Sequence, residues 1–251
     1  MKIKELEDLI KNSSYEEFLS LKASYFDEEK KSIVNLFKKY ENKFKRNQKL
    51  VEEYHKRLTY EKDLLNKGYR FIAGVDEVGR GPLAGPVYAA AVILDLNNPI
   101  YEIKDSKKLS DTKRKEISEK IKADCIAYSI AFATEREIDE LNILNATKLA
   151  MKRAIEGLSV KPDFILIDAV KIDLGIDSDS LIKGDDLSVS IGAASIIAKV
   201  ERDEFMDEIA SKYPFYSFEK NKGYGTKEHI EAIKKYGPCE IHRRSFIKNI
   251  V

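Results

Sequence analysis

Long apolar runs are missing from this chain of 251 residues. No stretch approaches the roughly 18 consecutive apolar residues that a membrane-spanning helix needs. The N-terminal sequence "MKIKELEDLIKNSS" is highly charged and lacks the apolar centre of a signal peptide. These absences predict a cytoplasmic protein that does not contact a membrane.

Cysteine is also scarce. Cys125 and Cys239 lie far apart and show no spacing typical of a zinc site. We therefore expect reduced structural thiols, with neither a disulfide nor redox chemistry. Nothing in the sequence demands more than one copy of the chain, so a monomer is expected.

Net charge is nearly absent as well, at +1, although 43% apolar residues suffice for a real core. Residues 1–70 carry 17 Lys and Arg against 13 Asp and Glu, whereas residues 71–251 carry 27 against 30. Such cancellation suits an enzyme that binds phosphates with basic residues and metals with carboxylates, because both kinds of residue enter the sum. The charge permits a nucleic-acid partner without requiring one.

Proline and glycine are absent from residues 1–67. Ser14 followed by Glu17 predicts a capping box that opens a short helix. From Asp27 to Gly68, helical spacing of apolar residues predicts one long, charged helix. We therefore divide the chain into a helical N-terminal extension, residues 1–68, and a catalytic domain, residues 69–251. The extension is either a solvated helical arm or a basic arm that contacts a duplex.

Strands and helices alternate after Gly68. "YRFIAGVDE" and "PVYAAAVILDL" are joined by a Gly/Pro-rich connection too short for a crossover helix, which predicts an antiparallel hairpin. "PDFILIDAV" predicts a buried strand, and "IGAASIIAKVERDEFMDEIASKY" a helix. The expected fold class is α/β, with a mixed sheet flanked by helices.

The stretch "GRGPLAG" superficially resembles a dinucleotide-binding glycine pattern. That fold requires a helix after the glycines, but "PVYAAAVIL" has the composition of a strand. A P-loop is also disfavoured, because no Gly-Lys-Ser/Thr sequence follows. The glycines therefore serve another purpose.

Carboxylates form the main candidate site. Asp76 and Glu77 end one apolar strand, Asp168 ends another, and Asp185 lies in the polar link "IKGDDLSVS". Acids at the ends of neighbouring strands can converge, and crowded carboxylates favour hard cations such as Mg²⁺ or Mn²⁺. Each acid taken alone could instead be a turn residue or a helix cap.

The motif "GVDEVGRGPLAGPV" resembles the signature of type 2 ribonuclease H. The resemblance continues in order through "DSKKLS", "NILNATKLAM", "KPDFILIDAV", "IKGDD", "IGAASIIAKVERD", "NKGYGTKEH" and "IHRRSF", over residues 71 to about 247. The "GRG" after the acids fits type 2 better than type 3. The resemblance implies a ribonuclease H-like fold.

The resemblance also implies that the four acids are both the catalytic residues and the metal ligands: Asp76, Glu77, Asp168 and Asp185. Asp186 is a neighbour that could be mistaken for Asp185, and Asp203 is expected to have an ordinary role on a helix surface. Ala169 departs from the glycine that the family normally carries after the strand-end Asp. Because Ala is small, we expect only a slight change in loop geometry.

Substrate-binding positions follow from the same motifs: Gly79, Arg80, Gly81, Lys107, Lys183 and Tyr224. Glycines let the backbone approach a sugar closely, and the 2′-hydroxyl is the group that distinguishes RNA from DNA. The two lysines are expected to contact phosphates. The alternatives are a solvated role for Arg80 and the lysines, and a core position for Tyr224.

The implied activity is that of an endoribonuclease dependent on Mn²⁺ or Mg²⁺. It would hydrolyse RNA in RNA/DNA hybrids and incise at single ribonucleotides in duplex DNA by two-metal-ion catalysis, leaving 5′-phosphate and 3′-hydroxyl ends. Its relatives serve in ribonucleotide excision repair and primer removal. A junction resolvase-like nuclease of the same superfamily and a non-catalytic hybrid-binding module remain as alternatives.

Overall fold

The computed structural model describes residues 3–25, 30–104 and 106–251. Asp27, the predicted start of the long helix, and Asp105, the first residue of the "DSKKLS" block, lie outside the described residues. The chain divides into two compact units, residues 1–53 and 54–251. Among the described residues, no helix is both long enough and apolar enough to cross a bilayer.

Helices build the first unit. Two short helices, α1 (Ile3–Asn12) and α2 (Tyr15–Ala23), precede α3 (Lys31–Arg57), whose last residues belong to the second unit. The Ser14 hydroxyl accepts from the Glu17 N–H and the Glu17 carboxylate accepts from the Ser14 N–H, which is the predicted capping box. Apolar side chains at helical spacing form the core of this unit: Leu6, Ile10, Phe18, Ile33, Leu36, Phe37 and Tyr40.

The single long helix predicted to run to Gly68 is divided in two at Leu58. Leu58 has ψ near 4°, and α4 (Thr59–Asn66) begins after it. The Thr59 hydroxyl donates to the Lys56 carbonyl at 2.8 Å, which competes with the hydrogen bonds of the helix itself. Leu58 packs into the core of the second unit, so burial favours this break.

A mixed sheet of five strands, counted over the described residues, forms the centre of the second unit. The strands are β1 (Ile72–Val78), β2 (Val87–Ile93), β3 (Ala127–Ala133), β4 (Phe164–Asp168) and β5 (Ser178–Leu181). Their order is β3-β2-β1-β4-β5. Pairing is antiparallel between β3, β2 and β1 and parallel between β1, β4 and β5. The predicted hairpin and the predicted α/β class with a mixed sheet are confirmed.

Helices cover both faces of this sheet. After α4 they are α5 (Asp111–Asp124), α6 (Glu135–Leu141), α7 (Ile143–Glu156), α8 (Gly184–Leu187), α9 (Val189–Lys212), α10 (Phe218–Asn221), α11 (Lys227–Tyr236) and α12 (Arg244–Ile247). On one face Val92 shares a core with Ala193 of α9, and on the other Ala91 shares a core with Ala150 of α7. Because β2 is buried on both faces, its sequence is a continuous apolar run.

Helix α9 lies unusually close to β1. A Cβ atom added to Gly74 would stand 2.0 Å from the carbonyl carbon of Ser190. The N-terminus of α9 is held by the buried Glu61 of α4, whose carboxylate accepts from the Ser188 hydroxyl and, at 3.0 Å, from the Ser190 N–H. The strand that carries two of the candidate acids therefore rests directly on a rigid helix.

Candidate active site

Three of the four candidate acids stand at the ends of two neighbouring strands. Asp76 and Glu77 lie near the end of β1, and Asp168 is the last residue of β4. The two strands run parallel, with Val75 paired with Ile167. Asp76 and Asp168 each directly follow one of these paired residues, so they lie at the same edge of the sheet, one strand apart.

Asp185 reaches this edge by a separate route. It lies in the short helix α8, shortly after β5, and the Gly184 N–H donates to Asp168 Oδ1 at 2.7 Å. Asp185 is buried, with 8% of its surface exposed, whereas the exposed Asp186 pairs with Lys108 at 3.0 Å. The structure thus separates the two adjacent acids, because only Asp185 is buried beside the strand ends.

Ala169 has a left-handed backbone, with φ of 52°. Its N–H donates to the Leu181 carbonyl at 2.9 Å, which joins the ends of β4 and β5. The left-handed conformation costs a residue other than glycine about 1–2 kcal/mol. Alanine in place of the family's glycine therefore lowers stability at this position. The Asp168 carboxylate nevertheless keeps its hydrogen bond from the Gly184 N–H.

Asp76 lies in the most strongly perturbed environment of the site, with 5% of its surface exposed. Burial raises the pKa of Asp76 well above its ordinary value, and the carboxylates of Glu77 and Asp168 raise this pKa further. The Ser195 hydroxyl and, at 2.7 Å, the Glu77 N–H donate to Asp76 and act in the opposite direction. Its negative charge is therefore only partly compensated.

Glu77 and Asp168 share this shortage of compensating charge. Burial raises the pKa of Glu77, and the Arg80 guanidinium, 3.3 Å from Glu77 Oε1, opposes this rise. The buried Oε2 atom of Glu77 has no hydrogen-bond partner among the described residues. Burial also raises the pKa of Asp168; the Gly184 N–H lowers it and the Asp185 carboxylate raises it.

The donor set fits a hard divalent cation. All four side chains offer only oxygen, and both the orphaned Glu77 Oε2 and the buried Asp76 would gain from a cation. Within residues 3–25, 30–104 and 106–251, no group of three or more His, Cys, Asp and Glu side chains already stands in ligating geometry.

A glycine-rich segment, residues 79–86, continues directly from these acids. Gly79 has φ of 93°, a backbone conformation that other residues rarely adopt. A Cβ atom on Gly81 would meet Tyr224 Cε1 at 3.8 Å, so the fold brings Gly81 and Tyr224 together. Tyr224 is 44% exposed, which rules out the core position considered for it.

The two candidate lysines lie near Asp185. Lys107, in a 3₁₀ helix (Ser106–Lys108), has its Nζ 3.7 Å from Asp185 Oδ2 while 81% of its side chain is exposed. Lys183 is exposed and directly precedes α8 with a left-handed backbone, φ of 60°. Both therefore flank the acid cluster on its solvent side.

Asp203 pairs with a neighbour on its own helix, as expected of a structural residue, but it is half-buried and not fully exposed on the helix surface. Its side chain is only 14% exposed and forms ion pairs with Lys199 at 2.6 Å and with Arg114 at 3.6 Å. Helix α5, which carries the buried Arg114, packs over this part of α9 and leaves the Asp203–Lys199 pair half-buried. The periodicity of one helix could not show which other helix covers it.

Three further side chains beside the site were missed in the sequence: Ser195, Arg202 and Arg243. Ser195 hydrogen-bonds to Asp76, and the two arginines are fully buried under the glycine-rich segment. Their signal was their place inside the blocks "IGAASIIAKVERD" and "IHRRSF". Charged residues in such blocks are taken for surface groups until the fold buries them.

Comparison with known proteins gives one consistent result. The family model described as Ribonuclease HII matches residues 73–249. Ribonuclease HII of Acetivibrio thermocellus is 49% identical over 249 residues, which are 99% of this chain and 96% of the relative. Ribonuclease HII of Caldicellulosiruptor bescii is 60% identical over 192 residues, covering 76% of this chain and 93% of the relative.

A solved structure supports the same conclusion. The crystal structure of ribonuclease H2 from Pyrococcus horikoshii matches with a TM-score of 0.62 and 27% identity, over 72% of this chain and 97% of that one. Family model, near full-length relative and fold agree, and the resemblance found in the motifs is confirmed. The chain therefore belongs to the ribonuclease HII family and is an endoribonuclease that acts on RNA/DNA hybrids.

Proposed function

We propose that this enzyme also incises duplex DNA at single ribonucleotides and leaves 5′-phosphate and 3′-hydroxyl ends. One observation carries the proposal: the acid cluster continues, two residues after Glu77, into the glycine-rich segment, where a Cβ atom added to Gly81 would stand 3.8 Å from the Tyr224 ring. Groups suited to hydrolysis and groups suited to reading a sugar are thus neighbours. A single ribose positioned against Gly81 would bring its phosphate to the acids.

Asp76, Glu77, Asp168 and Asp185 would hold Mn²⁺ or Mg²⁺, and a pair of such ions would supply an activated water and charge stabilisation for the leaving 3′-oxygen. Asp76 would be the central ligand, because Glu77 and Asp168 both act on its charge. Ser195 and the Glu77 N–H orient the Asp76 carboxylate by hydrogen bonds. These contacts hold the Asp76 carboxylate in one orientation.

The backbone of Gly79 to Gly81 would read the 2′-hydroxyl. Glycine has no Cβ, so peptide groups of this segment can approach a ribose within hydrogen-bond distance. The exposed Tyr224 ring would pack on the next sugar, where an extra hydroxyl would be disfavoured. Arg80, Lys107 and Lys183 would contact phosphates.

All proposed site residues come from one chain, so we infer that a monomer suffices for activity.

The boundary between the N-terminal extension and the catalytic domain at residue 68 stays a prediction. Deleting residues 1–68 would also remove Glu61, which holds the start of α9, and Tyr54, which lies in the core of the second unit. A truncated variant that tests the extension alone should therefore begin near residue 54.

The proposal is tested with a DNA duplex that contains one ribonucleotide, in Mg²⁺ or Mn²⁺. We expect incision on the 5′ side of a phosphate that stays on the downstream fragment. An all-DNA branched junction is the matched control and should remain intact. Cutting of the junction without cutting of the ribonucleotide duplex would support the resolvase-like alternative instead.

Metal binding should be measurable without activity. Adding Mn²⁺ at about 100 times its Kd to metal-free protein should stabilise it by about 2.7 kcal/mol, a rise of about 5–10 °C in melting temperature. The reason is that a cation relieves the repulsion among Asp76, Glu77 and Asp168. Thermal scans of Asp76→Asn should show a much smaller rise, whereas Asp203→Asn should keep the full rise. Equal melting temperatures with and without metal would contradict the ligand assignment.

Gly81→Ala should separate activity from stability. The added Cβ has room, since its nearest described atom is 3.8 Å away, so the free energy of unfolding should change by less than about 0.5 kcal/mol. The methyl group would stand where the ribose must approach, and we expect cleavage to fall about tenfold or more. Gly68→Ala is the matched control, because φ of 98° makes it costly to stability by about 1 kcal/mol or more while activity should persist. If Gly81→Ala cleaved at the wild-type rate while Gly68→Ala lost activity, Gly81 would not belong to the sugar-binding surface.

A further inference from the structure

Two fully buried arginines lie under the glycine-rich segment: Arg202 on α9 and Arg243 just before α12. Arginine is almost never fully buried unless its donors are satisfied. Here both guanidinium groups donate to backbone carbonyl oxygens, three for each arginine. Five of the six carbonyls belong to the glycine-rich segment, and the sixth belongs to Lys222.

Arg202 joins two distant segments. Its Nε and Nη2 atoms donate to the carbonyls of Pro86 and Ala84, each at 3.1 Å, within the glycine-rich segment. Its Nη1 atom donates to the Lys222 carbonyl at 3.0 Å, two residues before Tyr224. The rigid Arg202 guanidinium therefore fixes the distance between the glycine-rich segment and the chain just before Tyr224, the two parts proposed to contact neighbouring sugars.

Arg243 holds the other end of the same segment. Its Nε donates to the Gly85 carbonyl at 2.8 Å and its Nη1 and Nη2 atoms donate to the carbonyls of Arg80, at 2.9 Å, and Gly79, at 2.5 Å. A Cβ atom on Gly79 would stand 2.1 Å from Arg202 Nε, so the segment lies directly on the guanidinium groups. Residues 79–86 thus have little freedom to move.

This arrangement is a costly way to gain stability alone. Burial, and then the nearby Arg202 guanidinium, lower the pKa of Arg243 to about 9. Two like charges held together in a low-dielectric interior repel each other, and buried charges are weak contributors to stability. What the pair supplies is a fixed geometry for five carbonyls of one short segment.

The same helix also orients the acids. Ser195, which hydrogen-bonds to Asp76, precedes Arg202 by seven residues, about two helical turns, so both lie on the same side of α9. Helix α9 therefore links the position of Asp76 to the position of the glycine-rich segment. A shift of one relative to the other would displace the scissile phosphate from the acids.

We propose that Arg202 and Arg243 are positioning residues that set the selectivity of this enzyme for a single ribonucleotide in duplex DNA. They hold Gly79–Gly81 and Tyr224 at the spacing that admits one ribose next to one deoxyribose. The proposal rests on the proposed function, because it needs incision at single ribonucleotides. Every nucleotide on the RNA strand of a continuous hybrid carries a ribose. If residues 79–86 were displaced, another ribose of the hybrid could therefore still bind to them with its phosphate at the acids.

The test is Arg202→Lys, which keeps the positive charge but replaces the three-donor fork with a point charge. Because misplacement of a substrate by about 1 Å can cost about 10²-fold, we expect kcat/KM on the single-ribonucleotide duplex to fall about 10- to 100-fold. On a long RNA/DNA hybrid the loss should be at least about tenfold smaller. Arg243→Lys should shift the ratio of the two kcat/KM values in the same direction.

Met151→Ala is the matched control for destabilisation. Met151 is buried on α7, against the opposite face of the sheet, so its truncation lowers the melting temperature without touching residues 79–86. For Met151→Ala, the ratio of kcat/KM on the single-ribonucleotide duplex to kcat/KM on the long hybrid should stay at the wild-type value. A wild-type enzyme that leaves the single-ribonucleotide duplex intact would refute the proposed function itself. A wild-type enzyme that incises it, with Arg202→Lys at an unchanged ratio, would overturn only the positioning role.

A measurement on the wild-type enzyme keeps the proposal testable if both variants fail to fold. The Leu83 N–H donates to the Gly223 carbonyl at 2.8 Å, and the Gly85 N–H donates to the Ile241 carbonyl at 2.9 Å. If the arginines hold the segment rigid, these two amides should exchange with solvent as slowly as the amides of β1. Exchange at the rate of an exposed loop would overturn the proposal.

Discussion

Cleavage of an RNA/DNA hybrid should fall by about 10³-fold or more when Asp76 is replaced by Asn. The substitution keeps the shape of the side chain and an oxygen that can accept from the Glu77 N–H. It removes the charge that a cation shared with Glu77 and Asp168 would need, and metal ions contribute several kcal/mol of transition-state stabilisation at about 1.4 kcal/mol per tenfold in rate. Single-turnover cleavage of a labelled hybrid measures the loss.

The same substitution should not lower the stability of the metal-free protein, although it abolishes most of the activity. Asp76 is buried beside two carboxylates, so its neutralisation removes repulsion and a desolvated charge from the metal-free protein. We expect metal-free Asp76→Asn to melt at or above the wild-type temperature, by about 2–4 °C for each kcal/mol gained. Loss of activity together with a lower melting temperature would indicate misfolding and would not support a role in catalysis.

Two other acids give matched controls for this experiment. Asp186→Asn changes the exposed neighbour of Asp185, which pairs with Lys108, and should leave cleavage near the wild-type rate. Asp203→Asn breaks the ion pair with Lys199 and should lower stability while cleavage persists. If either variant lost activity as completely as Asp76→Asn, the choice of the four acids would be wrong.

Gly74→Ala should be the most destabilising small substitution in the sheet. The new Cβ would stand 2.0 Å from the Ser190 carbonyl carbon and 2.3 Å from the Ile191 nitrogen. Both atoms are backbone of α9, so no side chain can rotate away and the helix must move off β1. We expect a loss of about 3 kcal/mol or more, which lowers the melting temperature by about 6–12 °C. Activity should fall too, because Ser195 would leave Asp76.

Gly192→Ala is the control on the facing helix. Its Cβ would stand 3.3 Å from the Asp185 carbonyl oxygen and from Ile103 Cγ2, tight contacts that need a shift of only a few tenths of an ångström, and alanine favours the helical backbone over glycine. Its melting temperature should therefore stay within a few degrees of the wild-type value. If Gly74→Ala behaved in the same way, close contact between β1 and α9 would not be what holds the acids in register.

Local signals account for most of the elements that were predicted correctly. The β1–β2 hairpin followed from two apolar runs and a Gly/Pro-rich connection, and the capping box at Ser14 followed from two residues three positions apart. The break at Leu58 was missed because it depends on the Thr59 hydroxyl and on burial of Leu58 in a core built from distant residues. Helix α8 was missed because four residues are too few to show a helical period.

The sequence by itself determined the family, the mixed α/β fold and the identity of the candidate acids, because motif residues and apolar periodicity are local properties of the chain. Only the tertiary structure decided which groups meet. It paired β1 with β4 so that Asp76 and Asp168 share one edge, and it buried Arg202 and Arg243 against backbone carbonyls. Burial and carbonyl direction depend on residues more than a hundred positions away, and no local pattern carries that information.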